Sequence, residues 1–412
     1  MTIDADPETA GFNPIQQFQE VAGDIRDPYP FINDLREQCP VMGMNLAREM
    51  GQTIDANAPK MPPMYTAFNY EYVNQVLTQA DTYSSSGYEL FMGPVMGHTI
   101  LEMDAPEHSR HRVLVAGAFR PKVIEQWRET TLEPVANEMV EAVAGNGRAD
   151  LVTDLTFPFP LTVMAKIMGL PHDDWPKFHQ WSMELISVAQ DWNRALGASK
   201  ALADYFSAII ADRRKQPRDD LISRLVVAQV DGETLTDEQI MPFLRLLLPA
   251  GIETTYRSTG NLLYGLLTHP DQLDALRNDR SLLPQAIEEG LRWEPPLLFI
   301  TRSPKCPVML GGESIPEGAQ VAVSMAGGNR DPQRWDNPDE FDIFRERKSH
   351  LSFGAGPHLC LGQHLARAET TAMINAVLDR LPNVRLDPDA DDPHIHGLSF
   401  RSPTSLPVLF DS

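Results

Sequence analysis

A mainly α-helical fold with a smaller β component is predicted by two features of the sequence. After Ala105, apolar residues recur at three- and four-residue spacing in PEHSRHRVLVAGAF, LEPVANEMVEAVAG and DYFSAIIADRR, which is the period of an amphipathic helix. After Pro295 come short apolar runs punctuated by Gly and Pro, as in PVMLGGESIPEGAQVAVSM, which are typical of strands. No repeat, low-complexity tract or obvious linker divides the chain, so we predict a single domain over residues 1–412.

The predicted elements follow one another in a simple order. Residues 53–65, TIDANAPKMPPMY, are rich in proline and are predicted to form a loop. The next segment, MYTAFNYEYVNQVLTQA, is predicted to be a strand that runs into a helix, and the helical segments follow it. The strand-like runs come next, and a long irregular segment, GGNRDPQRWDNPDEFDIFRERKSH, succeeds them.

The longest predicted helix has an unusual centre. Thr236 and Gln239 form a capping-box pattern at its start, and it is predicted to end at His269–Pro270, which gives a length of about 50 Å. Its second half, LLLPAGIETTYRSTGNLLYGLL, contains Pro249 and Gly251, which weaken a helix interior by about 3 and about 1 kcal/mol. We therefore expect the centre of this helix to serve a function other than packing.

Composition and charge exclude several functions. Hydrophobic residues make up 42% of the 412 residues and charged ones 22%, as expected for a soluble globular protein with a large core. The net charge of −22 argues against binding to nucleic acid or to an anionic membrane. The start, MTIDADPETAG, lacks the basic and apolar regions of a signal peptide, and no run of about 18 apolar residues occurs. We expect a cytoplasmic protein without a membrane partner.

One of the three cysteines has a distinctive setting. Cys39, Cys306 and Cys360 lie far apart without a CxxC pair, which argues against a disulfide framework or a structural zinc site. Cys360 follows a loop of glycines and proline and opens a strongly helix-forming run, in SHLSFGAGPHLCLGQHLARAETTAMI. A helix N-terminus stabilises a thiolate, so Cys360 is a candidate nucleophile or metal ligand. The alternative is a small buried apolar residue.

Residues 353–362, FGAGPHLCLG, resemble the haem-binding loop of the cytochrome P450 family, and every fixed position of that motif is filled. The resemblance implies a P450-like fold whose long central helix lies over haem b. It also implies that the thiolate of Cys360 is the axial ligand of the haem iron and favours O–O cleavage. Phe353 is then expected beside the thiolate, and His358 is expected to face a haem propionate.

Further motifs extend the resemblance over nearly the whole chain. Glu289 and Arg292, in IEEGLRWEPP, occupy the Glu-x-x-Arg motif of the family, which implies a structural triad with Arg345. An ordinary surface ion pair between Glu289 and Arg292 is the alternative. Near the C-terminus, GLSFRSPTSLPVLF resembles the terminal β-hairpin of the family.

Two more segments resemble family positions that bind the haem propionates. DAPEHSRHR supplies His108 and Arg112, which lie four residues apart on one helix face, and LLFITRSP supplies Arg302. Two carboxylates that are partly removed from water need charge-assisted partners, which these residues and His358 can provide. Each of them alone is equally compatible with a solvated surface.

The resemblance also explains the centre of the long helix. AGIETT matches the oxygen-activation motif of the family, with Glu253 as an acid that relays protons from solvent and Thr254 as an alcohol that hydrogen-bonds the activated oxygen. The small side chains of Ala250 and Gly251 leave room for a flat macrocycle and for O2. Pro249 is expected to distort the helix locally and to help form an oxygen groove.

The implied reaction is O2-dependent monooxygenation of a lipophilic small molecule, most simply C–H hydroxylation. No expected pocket residue is charged, which favours a terpenoid or steroid-like substrate. By resemblance to the substrate-contact regions of the family, the expected pocket residues are Phe91, Met92, Leu246, Leu247, Ala250, Leu298, Phe299, Ile300, Leu398 and Phe400.

The two electrons are expected to come from a separate partner. No flavin or GxGxxG signature is present, so a ferredoxin with its NAD(P)H-dependent reductase is the simplest source. Candidate docking cations on the thiolate side are Arg110, Lys122, Arg334 and Arg367. Two alternatives stay open: a peroxide-driven haem-thiolate peroxygenase, which needs no proton relay, and a haem-based binder or sensor without turnover.

Overall fold

Helices form most of the chain in the computed structural model, which describes residues 25–51, 54–189, 191–230 and 232–411. In chain order the helices are α1 (Tyr29–Gln38), α2 (Leu46–Glu49), α3 (Tyr70–Thr78), α4 (Glu89–Met96), α5 (Glu107–Ala116), α6 (Pro121–Trp127), α7 (Glu133–Ala144), α8 (Pro158–Met168), α9 (Trp175–Ile186), α10 (Trp192–Lys215), α11 (Leu221–Val226), α12 (Asp237–Thr268), α13 (Pro270–Asn278), α14 (Leu283–Trp293), α15 (Met325–Asn329) and α16 (Gln363–Arg380). The predicted mainly helical fold is confirmed.

The smaller β component consists of short strands. They are β1 (Val41–Met42), β2 (Met64–Ala67), β3 (Tyr83–Ser84), β4 (Arg148–Asp150), β5 (Gln229–Val230), β6 (Glu233–Thr234), β7 (Phe299–Pro304), β8 (Val308–Leu310), β9 (Glu313–Ile315), β10 (Gln320–Ser324), β11 (Arg385–Leu386) and β12 (Pro407–Leu409). The largest sheet has the order β1-β2-β10-β7-β3, with β10 parallel to β2 and antiparallel to β7. A second sheet has the order β11-β12-β4.

Helix α12 lies at the centre of the helical part, where it packs against α8, α10, α14 and α16. Its predicted capping box is present, since the backbone N–H of Thr236 donates to Oε1 of Gln239 at 3.0 Å. The helix runs unbroken through Pro242 and Pro249 for 32 residues, so the expected distortion at Pro249 does not interrupt it.

Two sequence expectations are modified by the fold. The expected C-terminal β-hairpin is reduced to a single antiparallel bridge between His396 and Ser402, and Phe400 makes a second bridge to Leu297. Among the described residues, the segment Leu151–Met168 is long and apolar enough to cross a membrane by length and composition alone. Because 72% of that segment is buried inside the protein, it is placed like a core helix.

Candidate active site

The largest concentration of predicted site residues surrounds one cavity, here called the inner cavity. Its wall on α12 carries Thr254, and Cys360 of the loop before α16 also lines it. Among its lining residues are Arg112, Leu246, Leu247, Ala250, Gly251, Thr254, Thr255, Ser258, Leu297, Ile300, Arg302, Phe353, His358, Cys360 and Glu369. Most of the predicted cofactor residues therefore come together in three dimensions.

The loop that carries Cys360 depends on two glycines. Gly354 and Gly356 both have φ of +70°, a left-handed conformation that favours glycine. A Cβ on Gly356 would lie 2.4 Å from the carbonyl oxygen of Leu77, so only glycine allows the loop to lie against the end of α3. The backbone N–H of Cys360 donates to the carbonyl of Phe353 at 2.8 Å and closes the loop beneath the sulfur.

The surroundings of Cys360 have opposite effects on the pKa of its thiol. Burial raises the pKa of the thiol, while the backbone N–H groups of Gly362 and Gln363 and the guanidiniums of Arg112 and Arg367 lower it. The two N–H groups lie at the start of α16, as predicted for a cysteine at a helix N-terminus. A metal cation at the sulfur adds a larger charge and favours the thiolate, so this setting suits a metal ligand.

Four predicted propionate-binding residues form a cationic cluster at the rim of the inner cavity. The rings of His108 and His358 lie 4.0 Å apart. Arg112 donates to the carbonyl of Leu359, and Arg302 donates to the carbonyl of Thr301 at 2.7 Å. Burial, with Arg302 and His108 as further causes, lowers the pKa of His358 to about 3.

This cluster is incomplete without an anion. Nε2 of the buried His108 has no hydrogen-bond partner among the described residues, although buried ring nitrogens normally have one. Burial and the neighbouring guanidinium of Arg112 also lower the pKa of His108, and the carboxylate of Asp104 only partly opposes this decrease. The two carboxylates of a haem would satisfy both needs, so the residues present fit the group.

On the opposite wall, Thr254 is placed as predicted. Its hydroxyl donates to the carbonyl of Ala250 at 3.0 Å and lies on the inner cavity. Gly251 has a second role that was not expected, since a Cβ there would lie 3.1 Å from the sulfur of Met164. The small size of Gly251 therefore also allows α8 to pack closely against α12.

Glu253 lies elsewhere. Its buried carboxylate accepts a hydrogen bond from Nη2 of Arg257 at 2.9 Å, and Nη1 of Arg257 donates to Ser402 at 3.1 Å. Burial raises the pKa of Glu253, and Arg257 opposes the increase. Glu253 does not line the inner cavity. The expectation of an acid with access to solvent is therefore wrong for this conformation, because successive helical residues point about 100° apart and Glu253 turns away from Thr254.

The expected substrate residues divide between two cavities. Leu246, Leu247, Ala250 and Ile300 line the inner cavity. A second, mainly apolar cavity, here called the outer cavity, is lined by Phe91, Phe299 and Phe400, together with Arg257 and residues of α9 and its C-terminal end.

Three expected substrate residues line neither cavity. Met92 packs against the helical core, whereas Leu298 and Leu398 are buried in a small cluster with Tyr29 and Phe68. The backbone explains Leu298, because Leu297 bridges to Phe400 and the next residue of an extended chain points to the opposite side. Leu297 consequently lines the inner cavity, and Leu298 lies in the core.

The predicted triad is present as a buried network. Oε1 of Glu289 lies 2.7 Å from Arg292 and 3.2 Å from Nε of Arg345. Arg292 also donates to the carbonyls of Pro338 and Glu340, at 2.6 and 2.8 Å. The network therefore ties α14 to the irregular segment that precedes the Cys360 loop.

The candidate docking cations differ in how free they are. Arg110 on α5 and Lys122 on α6 are exposed. Arg367 is held by Glu288 at 2.6 and 2.9 Å, and its guanidinium lies 4.3 Å from the ring centre of Phe353. Arg334 lies over a tyrosine ring and donates to a backbone carbonyl at 2.9 Å. Arg367 is therefore wrong as a free docking cation, because the carboxylate of Glu288 already pairs with its charge. Arg334 stays a candidate, since its described partners are uncharged.

Three residues of these cavities were missed by sequence reasoning. Arg257 stands four residues after Glu253, a spacing that signals an ion pair on one helix face. Ser258 continues the helical face of Thr254 and also lies on the inner cavity. Glu369 interrupts the apolar face formed by Leu365 and Met373 on α16, which is the signal that could have found it.

A cysteine sulfur and a hydroxyl-bearing helix that line one cavity, together with an incomplete cationic cluster, form the arrangement of a haem-thiolate protein. The chain matches the family model "Cytochrome P450" over residues 161–406. It is 39% identical over 314 residues to cytochrome P450 107B1 of Saccharopolyspora erythraea, which covers 76% of each chain. It is 36% identical over 371 residues to the cytochrome P450 monooxygenase PikC of Streptomyces venezuelae, covering 88% of this chain and 85% of that one.

A solved structure agrees with these relatives. The structure of CYP109E1 from Bacillus megaterium in complex with testosterone has a TM-score of 0.81 at 30% identity, and the match covers 94% of this chain and 100% of that one. The chain belongs to the cytochrome P450 family and is a bacterial-type P450 monooxygenase. Such enzymes use haem b with a cysteine thiolate ligand and O2, bind small-molecule substrates and depend on redox partners.

Proposed function

We propose that this monooxygenase hydroxylates a neutral lipophilic molecule of terpenoid or steroid-like type. The observation that carries the proposal is the composition of the two cavities, which are lined mainly by apolar side chains. Arg257 is the charged residue of the outer cavity, but its partner Glu253 at 2.9 Å neutralises it. A carboxylate substrate would therefore find no uncompensated cation in the outer cavity to offset its loss of hydration, whereas a neutral substrate needs no such cation. The testosterone bound to a relative at 30% identity also supports a steroid-like substrate.

The residues of the inner cavity have complementary roles in this proposal. Cys360 would hold the haem, and the cluster of His108, Arg112, Arg302 and His358 would bind its propionates. The bound haem would supply the redox and oxygen chemistry. Phe353 covers the thiolate side of the loop.

On the opposite wall, the hydroxyl of Thr254 donates its hydrogen to the carbonyl of Ala250, so that the lone pairs of its oxygen can accept a hydrogen bond on the inner cavity. Glu253 supplies an acid next to Thr254 in the chain, and Arg257 must release the carboxylate before it can turn toward the cavity. The apolar walls exclude water, so that protons arrive only through positioned groups.

Electrons are proposed to come from a ferredoxin and its NAD(P)H-dependent reductase, and the enzyme is proposed to act in the cytoplasm. Arg110 and Lys122 support the first proposal as exposed cations. Arg112, on the same helix as Arg110, reaches Leu359, and α6, which carries Lys122, contacts α16. The burial of the apolar segment Leu151–Met168 inside the protein supports the second proposal.

A binding screen followed by turnover tests the proposal. A steroid ketone and a monoterpenoid are expected to shift the iron from low to high spin, and a long-chain fatty acid of similar size is expected to bind at least tenfold more weakly. Product should form with NADH, ferredoxin, reductase and O2, and much less with hydrogen peroxide alone. Stronger binding of the fatty acid would refute the neutral substrate, and equal turnover with peroxide alone would favour the peroxygenase.

A further inference from the structure

The segment that connects α4 to α5 forms part of the wall of the inner cavity. Ile100 and Leu101, near the middle of this segment, both line the cavity. Towards its end the segment is fixed, because the carboxylate of Asp104 accepts hydrogen bonds from the hydroxyl of Ser84 at 2.6 Å and from the backbone N–H of Ser85 at 3.1 Å. The position of the middle part therefore decides the shape of this wall.

One histidine braces the middle of the segment. Nδ1 of His98 lies 2.7 Å from Oε1 of Glu102, and Nε2 of the same ring lies 3.0 Å from Oε1 of Glu107 on α5. An ionised carboxylate accepts hydrogen bonds but donates none, whereas a neutral imidazole has only one N–H. Both bonds therefore exist together only while this group of three side chains holds one additional proton.

The burial of Glu102 makes the loss of that proton unfavourable for the present arrangement. The side chain of Glu102 is only 3% exposed, and its Oε2 atom has no hydrogen-bond partner among the described residues. A buried carboxylate that loses its charged partner is destabilised in its position. Loss of the proton therefore favours an arrangement in which Glu102 reaches water, and Leu101 precedes it directly in the chain.

The two carboxylates set the pH at which the proton is lost. Burial lowers the pKa of His98, but the hydrogen bonds and charges of Glu102 and Glu107 more than offset this, so that the pKa lies above its usual value of 6.5. Burial raises the pKa of Glu102, and His98 opposes the increase. The brace is therefore complete below about pH 6.5 and is lost as the pH rises through the raised pKa of His98.

Three helices supply the other titratable and charged neighbours of this group. On α4, the charge of Glu89 adds to the increase in the pKa of Glu102. On α5, burial lowers the pKa of His111, so that its ring stays neutral near neutral pH. On α12, Arg245 approaches Gly97 but is not among the groups that shift the pKa of either member of the pair. The charge that holds the two carboxylates together is therefore that of His98.

We propose that the proton bound between His98 and Glu102 is a pH switch for the inner cavity. While it is bound, His98 holds the segment against α5 and keeps Ile100 and Leu101 in place as a wall. When it leaves to water, one ring nitrogen keeps only a lone pair, one of the two bonds breaks, and ligands of the cavity bind more weakly. The side chain of His98 is 56% exposed, which gives the proton direct access to solvent.

The inference rests on the proposed binding of substrate in the inner cavity, and it makes His98 a positioning residue. Ligand binding by the haem-loaded protein between about pH 5.5 and about pH 8 tests it. The probe is phenyltriazole, an uncharged molecule that coordinates haem iron and shifts the Soret band, so the result does not depend on the substrate class. Wild type should bind it about two- to fivefold more weakly at the upper end of this range, as expected for an exposed ion pair.

Two substitutions of His98 separate the charge of the side chain from its shape. His98→Gln cannot carry a charge and should show the weaker affinity at every pH. His98→Arg keeps a permanent cation with several N–H donors, so it should retain the tighter affinity over the whole range. Glu102→Gln removes the buried counter-charge and should move the midpoint of the profile to lower pH.

His172 provides the matched control. It lies 3.8 Å from the carboxylate of Asp173 and its side chain is 63% exposed, but it lines neither cavity. His172→Gln should keep the wild-type profile of affinity against pH.

Contrary results overturn the proposal at separate points. Wild-type affinity that does not change with pH, or an unchanged profile in His98→Gln, would exclude the switch. An affinity of His98→Arg as weak as that of His98→Gln would mean that the shape of the ring matters and its charge does not, which also refutes the proposal. Failure of the steroid ketone to bind would refute the proposed substrate alone, because the phenyltriazole profile is measured without it.

Discussion

At the residue scale, the sulfur of Cys360 lies at the point where loop, helix N-terminus and inner cavity meet. Replacement of Cys360 by His should abolish the far-red-shifted Soret band of the reduced CO complex, because that band requires a thiolate ligand. Cys39→Ser and Cys306→Ser serve as controls and should retain it, since Cys306 is exposed and Cys39 donates to the carbonyl of Val41. A retained band in Cys360→His would disprove the ligand assignment.

Thr254 provides the second residue-scale prediction. Thr254→Ala should still bind substrate and consume NADH and O2, but most of the consumption should end as hydrogen peroxide, because the proton-directing hydroxyl is lost. The measurement compares NADH oxidised, peroxide released and product formed.

The matched control for Thr254 lies on the same helix. The hydroxyl of Thr268 bonds to the carbonyl of Tyr264 at 2.8 Å, four residues earlier as in Thr254, but lies outside both cavities. Thr268→Ala should stay coupled. Ser258 is unsuitable as a control, because it lines the inner cavity. Full coupling in Thr254→Ala would show that its hydroxyl is not needed.

At the element scale, the Glu253–Arg257 pair lies inside α12 and serves both stability and chemistry. Glu253→Gln should leave Arg257 buried without a counter-charge, which typically costs about 3–5 kcal/mol. Turnover should also fall, by about 10²-fold if one proton carrier is lost.

A double variant separates the two effects of that pair. Glu253→Gln with Arg257→Met should recover much of the thermal stability, because no unpaired charge remains, without recovering the rate. Thermal unfolding of the haem-loaded proteins measures the stability, and their O2 consumption measures the rate. A rate that recovers together with stability would mean that Glu253 acts only through folding.

The triad gives a second prediction at the scale of elements. Glu289→Ala should give mostly insoluble or haem-free protein, because Arg292 and Arg345 lose their shared partner and α14 loses its tie to the irregular segment. An exposed ion pair on α13 serves as the control for the buried pair of Glu289 and Arg292. In it, Asp274 lies 2.6 Å from Arg277, and 64% of the Asp274 side chain is exposed. Asp274→Ala should therefore change stability by less than about 1 kcal/mol. Normal haem content in Glu289→Ala would contradict the structural role.

At the scale of the whole molecule, the proposed ferredoxin would have to dock on a local group of cations, because the protein carries a net charge of −22. Arg110→Glu and Lys122→Glu should slow reduction by ferredoxin, with a smaller effect at high salt, because exposed charges act mainly on the association rate. Lys200→Glu on α10 is a charge-matched control, since Lys200 is exposed and pairs with Asp204. Stopped-flow reduction kinetics measure the effect, and unchanged rates in both test variants would point to another docking surface.

Arg367 shows why docking residues could be chosen only after the contacts of each cation were known from the structure. Burial alone would raise the pKa of Glu288, but hydrogen bonds and charge from Arg367 and His350 lower this pKa to about 2. The pairing of Arg367 with Glu288 is therefore strong. Substitution of Arg367 would therefore disturb the Cys360 loop through Phe353, and slower reduction would say little about docking.

The sequence by itself determined those features in which neighbouring residues set the local backbone conformation. The loop of Gly354 and Gly356, the capping box of Thr236 and Gln239, and the long helix belong to this group, because φ preferences and caps act over a few residues. Together with the motif order, they were sufficient to predict the family, the fold and some of the residues that line the inner cavity.

Only the tertiary structure decided which way individual side chains face. It turned Glu253 toward Arg257 and placed Leu297 and not Leu298 on the inner cavity. It also left Oε2 of Glu369 without a hydrogen-bond partner among the residues that the structure describes. These outcomes depend on contacts between segments that are distant in the chain, such as α12 with α16 and residue 297 with residue 400. Burial and pairing, which set the charge of each group, exist only after those segments have packed together.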